Sequence, residues 1–420
     1  MDHSLPVEIL TKILLAVVAT PSLLVNFSDD HYKFMNEDLI TLKDIDGLPM
    51  FEHTRIGLAH EISFFNWPVD FYHNMPVYRA HQQHARTGIL VCKTFHSILT
   101  PILYQCAVLA TTSQAQRLLK TLENTQLATL VKTLIICPNP FFYPKRELVD
   151  RVVGACPNLF AFHNFSTYHS PSYAVHRDTR GPTLPIAMER LTHDPFAVAQ
   201  IEQHPALCVT LVFLELTTVS RHWIGDLPVL QVVLPFLLSL KMEHSAATLE
   251  MMHPCTMPIL RRLCLTRPLR HADVGKQSGE FLKKHGQLLT QLEYPDLLWG
   301  VGGSEMTLDA VCPALTELIV DPLHCIAAGM RWDAPPIRGP PGHPGVIEIG
   351  LRNIFCSGDS GMGRQIKTLI STESFPMLAG IRDMVWRTKA QYTEANWRAV
   401  IDLCLSSGVP FRDWTSSIVV

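Results

Sequence analysis

Two kinds of hydrophobic spacing divide this chain. The first is helical. Ile9, Leu10, Ile13, Leu14 and Val17 recur at intervals of three and four, giving one apolar face to a helix that begins near Leu5. Ser4 is a suitable N-cap, Pro6 fits the first turn, Glu8 favours the positive end of the helix dipole and Pro21 ends the element. The same period returns at Leu90, where Val91, Phe95, Ile98, Leu99 and Ile102 make a second apolar face with Pro101 near the helix end. A third helical pattern covers 113–122, with Thr112 or Ser113 as its cap.

The second kind of spacing begins at Val131. Its template is an apolar residue, two variable positions, an apolar residue, one variable position and a third apolar residue. Copies are Val131-Leu134-Ile136, Leu211-Leu214-Leu216, Leu237-Leu240-Met242, Leu260-Leu263-Leu265, Leu289-Leu292-Tyr294, Leu315-Leu318-Val320 and Val346-Ile349-Leu351. Leu159-Phe162-Asn164 and Leu378-Ile381-Asp383 are weaker copies. Most successive copies start roughly 23 to 32 residues apart, within reach of the leucine-rich-repeat period. The interval from Leu159 to Leu211 is about twice that, which predicts a decayed copy near Leu184.

Five copies begin two residues after a proline, at Pro157, Pro235, Pro258, Pro313 and Pro376. Helical patterns lie between copies at 147–156, 279–286, 306–312 and 393–405. The predicted unit is therefore strand, turn, helix, proline, strand, with the proline stopping the helix and setting the turn. Each unit has an apolar face too small to stand alone, and stacking joins the faces into one core. Five prolines and three glycines over 334–345 predict an exposed interruption of that stack.

The stretch 20–87 has neither period. It is rich in histidine and aromatics and holds Pro49, Pro68 and Pro76. So long a structureless segment is foreign to a compact domain. It is either an insertion or non-native sequence, such as an intron left in the gene model.

Composition narrows the class. Of 420 residues, 47% are hydrophobic and 17% charged, enough apolar material for one or two cores and unlike a disordered chain. A formal charge of -3 with scattered Lys and Arg offers no basic patch for nucleic acid or an anionic membrane. The apolar run 9–25 contains Lys12 and Pro21 and follows acidic residues, so it reads as neither signal peptide nor membrane span. The run 227–240 is too short and contains Pro228 and Pro235. Eleven cysteines without a Cys-x-x-Cys pair suggest a reducing, intracellular compartment, cytoplasm or nucleus, with Cys92, Cys156, Cys264, Cys312 and Cys404 acting as small hydrophobes.

Candidate chemistry is thin. Ser357-Gly358-Asp359-Ser360-Gly361 matches the residues around a serine-protease nucleophile, but nothing else supplies that family's base and orienting acid, so a flexible loop is preferred. His81 and His84 have a helical ligand spacing without a completing Glu or His, and are expected to be solvated rather than metal-bound. The glycines at 300–303 and 361–363 form neither a dinucleotide fingerprint nor a P-loop. No catalytic residue, cofactor site or metal site is expected.

The two N-terminal helical segments carry a family signal. Leu5-Pro6-Val7-Glu8-Ile9-Leu10 with Ile13 resembles the opening of the F-box. Leu90-Val91-Cys92-Lys93 with Phe95 and Ile98 resembles its second half, with Phe95 at the place of the family's usual Trp, and Pro101-Ile102-Leu103-Tyr104 is similar to its exit. The resemblance implies docking onto a Skp-type linker subunit of a cullin (SCF) ubiquitin ligase, through Leu5, Pro6, Ile9, Leu10, Ile13, Val91, Cys92, Phe95 and Ile98. Apolar side chains would fill the linker's groove, a helix-in-groove mode. The family joins the halves by a short connection, whereas here the stretch 11–89 intervenes. Loop-closure cost grows slowly enough with length for the halves still to meet. The bland alternative is that both helices merely cap the first repeat.

The chain as a whole looks like the fungal F-box proteins with irregular leucine-rich repeats. The expected fold is α/β: an F-box-like helical domain over 1–110, interrupted at about 20–87, then a degenerate leucine-rich-repeat-like solenoid over 111–420. The expected function is non-enzymatic, a substrate-recognition adaptor whose repeats bind an unknown target protein, without nucleic acid or membrane as partner. A scaffold with a vestigial F-box is the alternative, and an enzyme on an α/β scaffold a more remote one.

Overall fold

A computed structural model describes residues 82–123, 125–136, 144–164, 188–193, 195–216, 227, 229–266, 275–294, 307–320, 342–351, 370, 374–384, 395–413 and 418–419. The first predicted helix, most of 20–87, most of 334–345 and the glycine-rich motifs at 300–303 and 357–363 lie outside them. The described residues fall into two compact units, one running to Phe213 and the other holding Leu214–Leu216 and everything from Leu227 onward.

The first unit opens with helical residues 82–88, which belong to the stretch expected to lack structure. A turn leads to α1, Lys93–Gln105, and then β1, Cys106–Leu109. Helix α2, Thr112–Leu122, is capped by Thr111 rather than Thr112 or Ser113. Gln114 N–H donates to Thr111 Oγ1 at 3.2 Å, while Gln114 Oε1 accepts from Ala110 N–H at 2.7 Å. The exchange is that of a capping box moved back by one residue, since the return bond goes to Ala110 rather than to the cap itself.

Next come a short α3, Thr125–Ala128, strand β2, Thr133–Ile136, helix α4, Arg146–Ala155, and strands β3, Ala161–Asn164, and β4, Arg190–His193. Short helical turns α5, Pro195–Val198, and α6, Pro205–Cys208, lead to β5, Phe213–Leu216. Strands β1 to β4 pair parallel in sequence order. Leu134, Phe162 and Leu191 stand in one register column and are fully buried.

From β6 onward the second unit repeats one plan. Its elements are β6, Ser239–Glu243; α7, Ala246–Met252; β7, Arg262–Thr266; α8, Gly275–His285; β8, Gln291–Tyr294; α9, Leu308–Val311; β9, Glu317–Val320; β10, Glu348–Leu351; β11, Gly380–Asp383; α10, Ala395–Ser406; and β12, Phe411–Arg412. Strands β6 to β12 are parallel and ordered as in the sequence. Their register aligns Leu240, Leu263, Leu292, Leu318, Ile349, Ile381 and Phe411 in a single apolar column. Every member is buried, and each such side chain contributes about 1.5–3 kcal/mol relative to an exposed one.

The middle residue of each of the nine template copies lies on a strand, so the period expected from the sequence is the strand period of the fold. The decayed copy sits later than expected, at β4 rather than near Leu184. Met188, Leu191 and His193 occupy its three positions, and a buried histidine replaces the third apolar residue.

Backbone bonds extend the pairing beyond the strands. Thr290 N–H donates to Arg261 C=O at 2.8 Å, Thr316 to Thr290 at 2.9 Å, Ile347 to Thr316 at 2.8 Å and Ala379 to Ile347 at 2.8 Å. Each turn therefore locks onto the turn before it, which satisfies donors that a bare loop would leave to water. His343, at the end of the Pro/Gly-rich stretch expected to be exposed, is buried in this ladder. Gly345 N–H donates to its Nδ1 at 3.0 Å, so the proton sits on Nε2, which donates to Cys312 C=O at 3.0 Å.

Candidate interaction surfaces

Of the residues that the F-box resemblance singles out, Leu5, Pro6, Ile9, Leu10 and Ile13 lie outside the described residues. The others surround the start of α1. Sequence periodicity put Val91 on the helix face, but the helix begins at Lys93, and Leu90 and Val91 stand in the preceding turn, 83% and 64% exposed. Cys92, expected to behave as a small hydrophobe, is an exposed N-cap whose Sγ accepts from Phe95 N–H at 3.5 Å. Phe95 and Ile98 are half-buried against Ala85, Leu99 and Ile102. Pro101 falls inside α1 and the helix continues to Gln105. The segment is thus a helical turn, an exposed apolar corner and a helix, with Phe95 and Ile98 leaning inward.

His84 is exposed on the helical residues 82–88, and neighbouring Gln82 donates to Leu103 C=O at 3.5 Å. Among the described residues no three His, Cys, Asp or Glu side chains come close enough to hold a metal ion. Among them, too, no helix is long and apolar enough to cross a membrane.

The strands carry a second surface, on the side opposite the apolar column. The template left these positions as variable. In the second unit Lys241, Arg262, Glu293, Glu317, Glu348 and Arg382 place charge among them. Lys241 Nζ on β6 lies 2.7 Å from Glu215 Oε1 on β5. On β11, Arg382 Nε lies 2.7 Å from Glu348 Oε1 on β10, and its guanidinium also bonds Glu317 on β9. Gly350 on β10 is the register partner of Arg382 and has no side chain to obstruct it. Burial pushes the Glu317 carboxyl up from its usual range, against the opposing pull of Arg382. Burial also lowers Arg262 on β7, whose charge Glu317 supports. This face is a band of mutually compensated charge.

Buried polar pairs elsewhere have structural roles. His163 Nδ1 and Thr192 Oγ1 meet at 2.7 Å between β3 and β4. A serine and a histidine meet where β6 ends and α8 begins: His244 Nε2 lies 2.6 Å from Ser278 Oγ. Both are buried, so the pair stitches helix to strand. Cys156, Cys312 and Cys404 are buried, and burial pushes each thiol up to about 12. Such thiols are inert at neutral pH.

With this geometry in hand, comparison with known proteins adds no relative. No family model and no curated protein matches the chain.

Proposed function

We propose that this chain is a protein-interaction adaptor of an SCF-type ubiquitin ligase, with F-box-like helices that dock a Skp-type linker and an irregular leucine-rich-repeat-like solenoid that binds a target. The observation that carries the reading is the exposed corner Leu90–Val91, placed between two helical segments and followed by Cys92-Lys93 and Phe95. Large aliphatic residues left in water at a helix-turn-helix corner are what a hydrophobic groove on a partner would take up. The successive parallel strands with one apolar column support the solenoid, and their charged outer positions suit recognition of a protein surface.

Co-expression with a Skp-type linker is the test. A stable complex is expected, weakened at least tenfold by Leu90→Asp with Val91→Asp and also by Leu5→Ala with Pro6→Ala. Failure to co-purify any such linker would remove the ligase reading. One observation favours the second reading, a scaffold with a vestigial F-box. Phe95 and Ile98 pack on the chain's own Ala85, Leu99 and Ile102, which leaves less of the motif for a partner.

A further inference from the structure

In the second unit the turn before each strand alternates its side chains. The residue two before the strand is the buried template leucine, such as Leu237, Leu260, Leu289 and Leu315. The residues one and three before the strand point to solvent, and polar side chains are expected there. In the first unit the polar residues Lys132, Asn158, Glu189 and Thr210 share these places with the half-buried Leu130, Phe160 and Val212.

The second unit departs further from that expectation. Phe236 and Leu238 precede β6, Leu288 precedes β8, Ile347 precedes β10 and Met377 precedes β11, and all five are exposed, Phe236 by 56% and Met377 by 62%. Val229 and Val233, upstream on the segment that leads to β6, are exposed as well. Between these residues the positions hold Ile259, Thr290, Ala314, Thr316, Gly345 and Ala379, and Arg261 is the one charged residue at these places from β6 to β11.

The result is an apolar ribbon, interrupted by the single charge of Arg261, along the edge where the strands begin. Strand spacing makes it about 24 Å long. At these exposures the seven large side chains present on the order of 600 Å² of apolar surface, the upper end for the largest patch on a monomer. That is most of the ~800 Å² that each side of a standard interface buries, and depletion of charge is the mark of an interface centre.

We propose that this ribbon pairs with the same ribbon of a second copy of the chain about a two-fold axis. A two-fold contact is isologous and reverses the ribbon, so Phe236 and Leu238 of one copy lie against Ile347 and Met377 of the other. The axis then passes near the midpoint, between Leu288 and Thr316.

Sedimentation equilibrium of the full chain from 1 to 100 µM tests this. A monomer–dimer equilibrium is expected, and Phe236→Glu with Met377→Glu should raise the dissociation constant at least tenfold. Both side chains are exposed, so an unchanged circular dichroism spectrum and melting temperature would show that folding is unaffected. If the double variant fails to fold, Thr316→Cys serves instead, because a cysteine near the axis should form a disulfide with its own copy that the parent chain does not form. A chain that stays monomeric throughout, or a dimer that neither change affects, overturns the proposal and leaves the ribbon to a different protein.

Discussion

Arg382 on β11 reaches over β10 to bond Glu317 on β9, two strands away, and rests its Nε 2.7 Å from Glu348 on the way. The register partner of Arg382 on the intervening strand is Gly350. An ideal Cβ at that position would come within 2.9 Å of Ile319 and of Met384. One arginine thus compensates two carboxylates on neighbouring strands, while the glycine makes room for Ile319 and Met384.

Removing that arginine is expected to cost more than the loss of a surface ion pair. Arg382 is 13% exposed, Glu317 23% and Glu348 21%, so Arg382→Met leaves two mostly buried like charges side by side. A loss of about 2 kcal/mol at pH 7 is expected, below the 3–5 kcal/mol of a fully buried pair because some solvent reaches the group. The Glu317 carboxyl already sits above its usual range, so the native state binds more protons than the unfolded chain as that carboxyl titrates. Without Arg382 this imbalance grows, and the deficit of the variant should shrink as pH falls toward 4. Glu317→Gln added to Arg382→Met should recover part of the loss. Urea unfolding of the single and double variants checks this, and a loss under about 0.5 kcal/mol would place the cluster among ordinary surface pairs.

His285 sets an acid limit on the second unit. It is buried beside Phe281 at the end of α8, and its Nε2–H donates to His253 C=O at 3.3 Å. Burial lowers its pKa from 6.5 to about 4, with Lys284 and His253 adding to the effect and the His253 carbonyl opposing it. Between those values the unfolded chain binds a proton that the native state refuses. Stability from this site is complete above pH 6.5 and is lost as pH falls from 6.5 through about 4. The shift corresponds to roughly 3 kcal/mol. His285→Gln should remove this slope from a plot of unfolding free energy against pH, and an unchanged slope would assign the acid sensitivity elsewhere.

The sequence carried the core far better than it carried the surfaces. Leu240, Leu263, Leu292, Leu318 and Ile349 were legible because a buried column permits only large apolar residues at a fixed interval. β4 was misplaced because His193, held by contacts that sequence does not display, stands in an apolar position. β1 went unseen because Ala107 occupies the middle of its pattern. The Val91 error has a similar source: periodicity marks which residues are apolar, and cannot tell a helix face from the exposed corner before it. Glu317, Glu348 and Arg382 were invisible because the template reads its variable positions as free. Their one signal was the recurrence of charge at the position between or before paired apolar residues. The apolar ribbon was legible in principle, since Phe236 and Met377 follow Pro235 and Pro376 at a solvent position of the repeat.

Two glycines separate the packing of the helices from their intrinsic stability. Gly154 is exposed near the end of α4, and a Cβ there would meet nothing within 4 Å. Gly154→Ala removes backbone freedom from the unfolded chain at no steric cost and should stabilise by about 0.5–1 kcal/mol. Gly286 follows α8 and is buried, and a Cβ there would stand 2.4 Å from Val311 C=O and 2.8 Å from Cys312 Sγ. Val311 ends α9, so the added methyl would have to push one helix end off the next. Gly286→Ala should therefore destabilise by about 1–3 kcal/mol, the usual cost of overpacking. Thermal melts of the two variants against the parent chain decide the matter. An unchanged or raised melting temperature for Gly286→Ala would mean that α8 and α9 do not pack as closely as the backbone at Gly286 requires.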